Sequence, residues 1–368
     1  MPRSLWLLLA CAVGLVSEAP AAAQSLTVRP DCRDGGRCFR TVGAALDAAA
    51  RDTSGSWLTV RVAPGDYREK VTIRRARLRL VGSGQARTRI RFDAVAQTSK
   101  AFHRDGWGTP GSATLTIDAP DVIVSELTVE NDWNYLANDR LANGDPAKVG
   151  NPQAVALLLD IHSDRVSIRR SALLGYQDTL FANGKRAHIT DSLIAGNVDF
   201  IFGNGQLLIE RSEIRSRVRS APSDGSTFQS FIAAPSTLLD DPVGIIISRS
   251  RLTREAGVPD GVVGLARPWH PTTRFADGRY ANPRAVGQVS FLDCYMDAHI
   301  ARDGWATMNG TARDGTMTDV FRPQDSRFFE RGSYGPGARR NDIGMPRSGV
   351  SDVRWVRRLL LKDFDGSR

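Results

Sequence analysis

After the first two dozen residues, apolar and polar positions fall into two kinds of run. "FRTVGAALDAAARD", Phe39 to Asp52, has helical spacing: Thr41 can cap it, and Val42, Ala45, Leu46 and Ala49 share one face. From there helical periodicity largely stops, and short alternating segments follow one another, most separated by Gly, Asn, Asp or Pro. "DVIVSELTVEN" (from Asp121), "DRVSIRRSALLG" (from Asp164) and "AHITDSLIAG" (from Ala187) share one plan: an alternating strand, one or two polar residues, then a second strand. A β-sandwich would join such strands by two-residue hairpins of the Asn-Gly kind. A parallel β-helix would instead repeat at roughly twenty residues with three short strands per coil, and these units fit that plan. Their Ala, Leu, Ile and Val side chains can stack into a continuous interior ladder, with the early helix plugging one open end. The pattern therefore predicts an all-β solenoid, a parallel β-helix with an N-terminal capping helix. It occupies residues 24–368 as a single domain, and after about Asn341 the tail reads as irregular.

The start of the chain reads differently. Arg3 precedes "LWLLLACAVGLV", Leu5 to Val16, and "APAAAQS" supplies small residues for cleavage after Ala23, so residues 1–23 are expected to be a signal peptide. A buried N-terminal helix, or a lipoprotein modified at Cys11, are the alternatives. No later segment is apolar enough to suggest a membrane span. Export implies an oxidising compartment. Cys32 and Cys38 bracket "RDGGR" and can close as a disulfide or stay reduced; Cys294 is left over. With no CxxC or Cys/His spacing, a zinc site is not expected.

Lys and Arg number 49 against 40 Asp and Glu, a formal charge of +9. The excess suits an acidic polymer as partner. Nucleic acid is a poor fit, because the chain lacks a basic helix or a conventional aromatic ladder. Arg74, Arg75, Arg77 and Arg79 in "TIRRARLRL" stand near one edge, where a solvated strand face is the plainer explanation.

Two aspartates change the picture. Asp178 in "GYQDTLFA" and Asp199 in "GNVDFIFG" each sit among apolar and aromatic neighbours, 21 residues apart. A carboxylate is costly to desolvate there unless paired, protonated or at work. At one coil's spacing the two occupy equivalent positions on stacked strands about 4.8 Å apart. Such neighbours cannot easily both ionise, so the pair becomes one acid and one base or nucleophile. Gln153 precedes Gln177 by 24 residues, again about a coil, and Gln N–H groups can donate to a developing oxyanion. Arg267 in "GLARPWHP" can aim a carboxylate through a bidentate contact, and Trp269 can offer a face to a sugar ring. Each residue alone has an ordinary structural explanation: a turn cap, a solenoid Gln ladder, an ion pair, a packing residue. The joint pattern at coil spacing is what points to acyl transfer without serine or metal.

At these residues the sequence resembles the pectinesterases, the carbohydrate esterases that remove methyl esters from pectin, and bacterial members more than plant ones. "GDYREKV" (Gly65 to Val71), "WGTPGSATLTI" (Trp107 to Ile117), "QAVALLL" (Gln153 to Leu159), "GYQDTLFA", "GNVDFIFGNG", "LARPWHP" (Leu265 to Pro271) and "RFFERGSYGPGA" (Arg327 to Ala338) look like family blocks in family order. The resemblance implies a right-handed parallel β-helix and no metal or cofactor. It implies that Asp199 is the nucleophile on the C6 methyl ester, that Asp178 is the acid and then the base, and that Gln177 with Gln153 forms the oxyanion hole. Arg267 then orients Asp199, and Trp269, Phe202, Val198, Thr109, Arg219, Thr272 and Met308 line the substrate cleft. The implied substrate is methylated pectin (homogalacturonan), handled by a secreted monomer.

Three departures stand out. Ala266 replaces the usual Gly before the arginine, so a methyl is expected to shift Arg267 slightly. Phe181 replaces a frequent Tyr. Ser192 and Ser212 occupy the positions of a disulfide found in some relatives. The competing readings are an esterase or thioesterase on a non-pectin acyl substrate, a polygalacturonase or pectate lyase, and a non-catalytic carbohydrate-binding solenoid. A lyase would want a calcium-binding carboxylate cluster, and the sequence offers none.

Overall fold

The computed structural model describes residues 24–220, 227–338, 343–344, 350 and 352–364. The expected signal peptide, residues 1–23, lies outside them. The chain winds as a right-handed parallel β-helix of three sheets. A twelve-stranded sheet, an eight-stranded sheet and a seven-stranded sheet run along the solenoid, and each coil visits them in that order. One coil passes through Arg186–Thr190, Leu193–Gly196 and Val198–Gly203 before Gln206–Glu210 begins the next.

The interior is a stack of equivalent apolar residues. Val60, Leu80, Val124, Ile168, Ile189 and Ile209 are successive register partners, all within 1 % of full burial. Coil length is 21 residues from Ile168 to Ile189 and 20 from Ile189 to Ile209. Elsewhere it stretches to 44, as from Val124 to Ile168, because loops are inserted. Several of these insertions precede strands of the seven-stranded sheet, so they wall a cleft over that sheet.

Both ends are closed. The helix Val42–Ala50 buries Val42, Ala45, Leu46 and Ala49, and Thr41 Oγ1 accepts from the Ala44 N–H at 3.1 Å. The Glu69 carboxylate also accepts from the N–H groups of Val42 and Gly43, at 2.9 and 2.8 Å. An anion at a helix N-terminus satisfies orphan donors and the helix dipole together. At the far end Trp305 packs on Phe291 and Phe328, with ring centroids 6.1 and 5.3 Å apart. Cys32 and Cys38 form a disulfide, and Cys294 is a buried free thiol pushed up to about 12 by burial.

Ser192 and Ser212 belong to a buried serine ladder. The Ser171 N–H donates to Ser192 Oγ, the Ser192 N–H to Ser212 Oγ and the Ser212 N–H to Ser250 Oγ, at 3.2, 3.2 and 3.1 Å. Hydroxyls thus satisfy corner N–H groups that the strand ladders leave over.

The tail corrects the sequence expectation. Instead of being irregular throughout, it forms the helix Val353–Leu360, capped by the Asp352 side chain. Val356 and Leu360 dock on Leu208, Ile246 and Leu292, which point outward from the twelve-stranded sheet. The helix sets Val353, Val356 and Leu360 on one face and Arg354 and Arg358 on the other, but it is only eight residues long. Docking stabilises it, as is general for helices this short.

Candidate active site

Asp178 precedes the strand Leu180–Ala182, and Asp199 lies in Val198–Gly203, its neighbour in the seven-stranded sheet. Leu180 pairs with Ile201 and Phe181 with Phe202, so the two aspartates are equivalent residues of adjacent coils. The Asp178 N–H donates to the Val198 carbonyl at 3.0 Å, as that register requires. Both have left-handed backbone, with φ of 66° at Asp178 and 51° at Asp199. Between Val198 and Ile201 the register with Ser230–Pro235 slips by one residue. Such a bulge re-aims a side chain, and here it falls on Asp199 and Phe200. The two aspartates are only 8 % and 6 % exposed.

Arg267 follows Val263–Ala266, one strand beyond Ser230–Pro235, and its N–H donates to the Ala233 carbonyl at 3.1 Å. Its Nε donates to Asp199 Oδ1 at 2.9 Å and its Nη2 to Oδ2 at 2.6 Å. The guanidinium lies over the Phe231 ring, 4.3 Å from its centroid. Burial opposes the Arg267 charge, but the Asp199 carboxylate outweighs it and holds Arg267 above its ordinary range. Asp178 has no such partner. Burial, then the neighbouring Asp199 charge, push its carboxyl well above the usual range, and Arg267 offsets this only in part. The sites are thereby split: a fixed, ion-paired carboxylate beside a carboxyl that favours its proton. The Ala266 methyl is fully buried in the interior, and the bidentate contact is intact.

Gln153 and Gln177 lie on adjacent coils, where the Ala154 N–H donates to the Gln177 carbonyl at 3.2 Å. Gln153 Oε1 is buried with no partner, so this carboxamide keeps unused hydrogen-bonding capacity. A half-turn exchanges its oxygen for its NH₂. Gln177 opens into a cavity of about 450 Å³ that Tyr135, Asn138, Lys148 and Arg219 also line.

An aromatic wall flanks the carboxyl pair. Phe181 stacks on Phe202 at 4.2 Å, and Trp269 stands 5.5 Å from Phe202 and 6.1 Å from Phe181. Trp107 adds to it, 5.5 Å from Phe181 and 6.4 Å from Trp269, with 38 % of its surface exposed. Sequence reasoning passed over Trp107, although it opens the "WGTPG" block. Thr109 sits buried on the short helix Gly108–Gly111 beside it, and Val198 immediately precedes Asp199.

Other assignments are placed less directly. Arg219 Nη1 donates to the Gln229 carbonyl at 2.8 Å, and Nη2 is 3.8 Å from Asp139. Thr272 hydrogen-bonds Thr311 at 2.7 Å, tying the hairpin of Thr272–Phe275 and Gly278–Ala281 to the second hairpin, where Met308 pairs with Phe321. Tyr135 was not legible. It is 3 % exposed, stacks on Tyr176 at 5.2 Å, and burial pushes its hydroxyl up to about 12. Among the described residues no group of three His, Cys, Asp or Glu side chains is placed to hold a metal ion. No helix among them is long and apolar enough to cross a membrane.

Comparisons with known proteins agree with this geometry. The Pectinesterase family profile matches residues 30–322. Pectinesterase A of Dickeya dadantii (strain 3937) is 40% identical over 326 residues, 88% of this chain and 87% of that protein. A pectin methylesterase solved in complex with hexasaccharide VII superposes with a TM-score of 0.82 at 38% identity, covering 95% of this chain and 100% of that one. The pectin methylesterase from Yersinia enterocolitica does so with a TM-score of 0.76 at 40% identity, covering 89% and 97%. Neither the relatives nor the site supports a non-pectin acyl substrate. The chain belongs to the pectinesterase family, as a carboxylic ester hydrolase that de-esterifies pectin.

Proposed function

We propose that Asp199 and Asp178 divide the hydrolysis of a C6 methyl ester of homogalacturonan between them. The observation that carries this is the bidentate Arg267–Asp199 pair beside the buried, proton-favouring Asp178. Asp199 attacks the ester carbon. Each of its oxygens spends one lone pair on Arg267, and a carboxylate oxygen has another to use. The oxyanion of the tetrahedral intermediate accepts from the NH₂ groups of Gln177 and Gln153. As the carbon–methoxy bond breaks, Asp178 gives its proton to the leaving oxygen and methanol departs, leaving an acyl-Asp199 anhydride. Asp178, now ionised, takes a proton from water as the water attacks that anhydride. The bond from the acyl carbon to Asp199 breaks, galacturonate is released with its acid proton lost to solvent, Asp199 is free, and Asp178 holds a proton again.

Trp107 and Trp269, backed by the buried Phe181 and Phe202, present apolar faces to the sugar rings. Val198, Thr109, Arg219, Thr272 and Met308 complete the cleft. Every residue given a role comes from one chain, so a monomer suffices. The apolar run Leu5 to Val16 and the small residues before Gln24 support secretion, which N-terminal sequencing of exported protein would test.

The catalytic assignment is tested by methanol release from methylated pectin. Asp199→Asn should abolish it, and Asp178→Asn should lower kcat by about 10²–10⁴-fold, the usual worth of a positioned acid–base group. An Asp199→Asn protein that still releases methanol would remove Asp199 from the chemistry.

A further inference from the structure

The chain's net positive charge is concentrated toward one end. Residues 24–91 hold 15 Arg and Lys against 6 Asp and Glu, a net +9 that equals the charge of the whole chain. The acids of this stretch are mostly taken. Asp31 pairs with Arg29, Asp34 with Arg40, Asp52 with Arg75 and Asp66 with Arg91, while Glu69 caps the first helix. Arg68 pairs with Asp93 and Arg89 with Glu130, beyond the stretch, while Arg51, Arg61, Arg74, Arg77 and Arg79 make no ion pair among the described residues.

Their placement is compact on one side of the N-terminal pole. The turn carrying Arg74 to Arg77 is tied to residues 52–56: Arg75 donates to Asp52 and to the Ser56 carbonyl, and Arg77 donates to the Gly55 carbonyl. This brings Arg51, Arg74 and Arg77 around one junction. Arg61 and Arg79 are diagonal neighbours on adjacent strands of the twelve-stranded sheet, since Thr59 pairs with Arg79 and Arg61 with Val81. Arg79 covers the Trp57 ring at 4.0 Å. Arg51, Arg61 and Arg74 are exposed and make no ion pair among the described residues.

This pole adjoins the cleft. Arg74 directly follows Val71–Ile73, the first strand of the seven-stranded sheet. That strand is three places from Leu180–Ala182, about 14 Å at the usual strand spacing. We propose that the N-terminal pole, through Arg51, Arg61, Arg74, Arg77 and Arg79, is a second docking surface for demethylated, anionic galacturonan. The inference rests on the pectin reading of the site. Each turnover replaces a neutral ester with a carboxylate, so the polymer gains negative charge in the cleft, and its attraction to the pole grows as the reaction proceeds. An anionic membrane is the weaker partner. Surface insertion needs exposed apolar side chains, and none of the exposed large apolar residues among those described falls between residues 25 and 91.

The test is a triple variant, Arg51→Gln with Arg61→Gln and Arg74→Gln, beside the corresponding Lys triple. Exposed ion pairs are individually weak, so three together should lower affinity for polygalacturonate about tenfold at low ionic strength. KM on long, partly demethylated pectin should rise in step, while kcat/KM on a short methylated oligogalacturonate stays unchanged. The Lys triple should keep native affinity. Unchanged polygalacturonate affinity in the Gln triple, or lost affinity in the Lys triple, overturns the proposal. So does a Gln triple that loses binding to vesicles containing phosphatidylglycerol while keeping polygalacturonate. Methanol release from the short oligomer by the unaltered protein is scored separately, and its absence would sink the esterase reading of the cleft, not the docking result.

Discussion

Replacing Arg267 by Lys isolates what the guanidinium contributes. The native pair has two charge-assisted hydrogen bonds, at 2.9 and 2.6 Å, to a carboxylate that is almost wholly buried. A lysine keeps the positive charge but offers a point donor in place of the planar fork, so one of the two bonds is lost, together with the flat contact on Phe231. A hydrogen bond to a charged group is worth about 1.5–3 kcal/mol. At roughly 1.4 kcal/mol per factor of ten, kcat should fall about 10- to 100-fold. KM should change little, because Arg267 holds the nucleophile and not the sugar. The split between the two constants is the second readout, since a purely structural role would not confine the loss to kcat. The assay is methanol release from methylated pectin across the pH range, with thermal unfolding measured in parallel to confirm folding. A folded Arg267→Lys protein with kcat within about threefold of native would refute the assigned role.

Three further outcomes follow from geometry alone. The fold raises the pKa of Asp178, so its stabilising protonation is complete below the ordinary carboxylate range, about 3.9, and is lost as pH climbs through the raised value. Asp178→Asn should therefore be the more stable protein at alkaline pH, by about 0.5–2 kcal/mol in urea titrations, with the advantage shrinking in acid; the opposite trend would contradict the electrostatic account. Ser192→Ala leaves the buried Ser171 N–H without its acceptor and should cost about 1–3 kcal/mol by the same titration. Val356→Asp puts a charge into the fully buried contact between the last helix and the twelve-stranded sheet, and should cost about 3 kcal/mol or more. Its kcat should be unaltered where the protein stays folded, since the carboxyl pair lies on a different sheet.

What could be read in advance was whatever repeats. The first helix, its Thr41 cap and its buried face follow from local periodicity, and the alignment of Asp178 with Asp199 and of Gln153 with Gln177 follows from coil length. Contacts that depend on insertions were less legible. Trp107 and Tyr135 arrive on loops whose length breaks the repeat, so no spacing rule places them against Phe181 or Tyr176. The arginine run Arg74 to Arg79 looked like one solvated face, yet Arg75 is 7 % exposed and clamps the loop near Asp52. A left-handed residue at Arg77 turns the chain at that point, and strand alternation cannot foresee it. The final helix was hidden because its stabilisation resides in outward-facing Leu208, Ile246 and Leu292, remote in sequence.

The left-handed backbone at both aspartates bears on how such a site is probed and how it can vary. Asp and Asn enter that conformation far more readily than other side chains bearing a Cβ. At these two positions an alanine scan would therefore remove a functional group and disturb a turn in the same stroke, and overstate the chemistry. Asparagine separates the two effects. A glutamate can take this backbone, as Glu126 does at φ 59°, but its longer side chain would carry the carboxyl out of the place that Arg267 fixes.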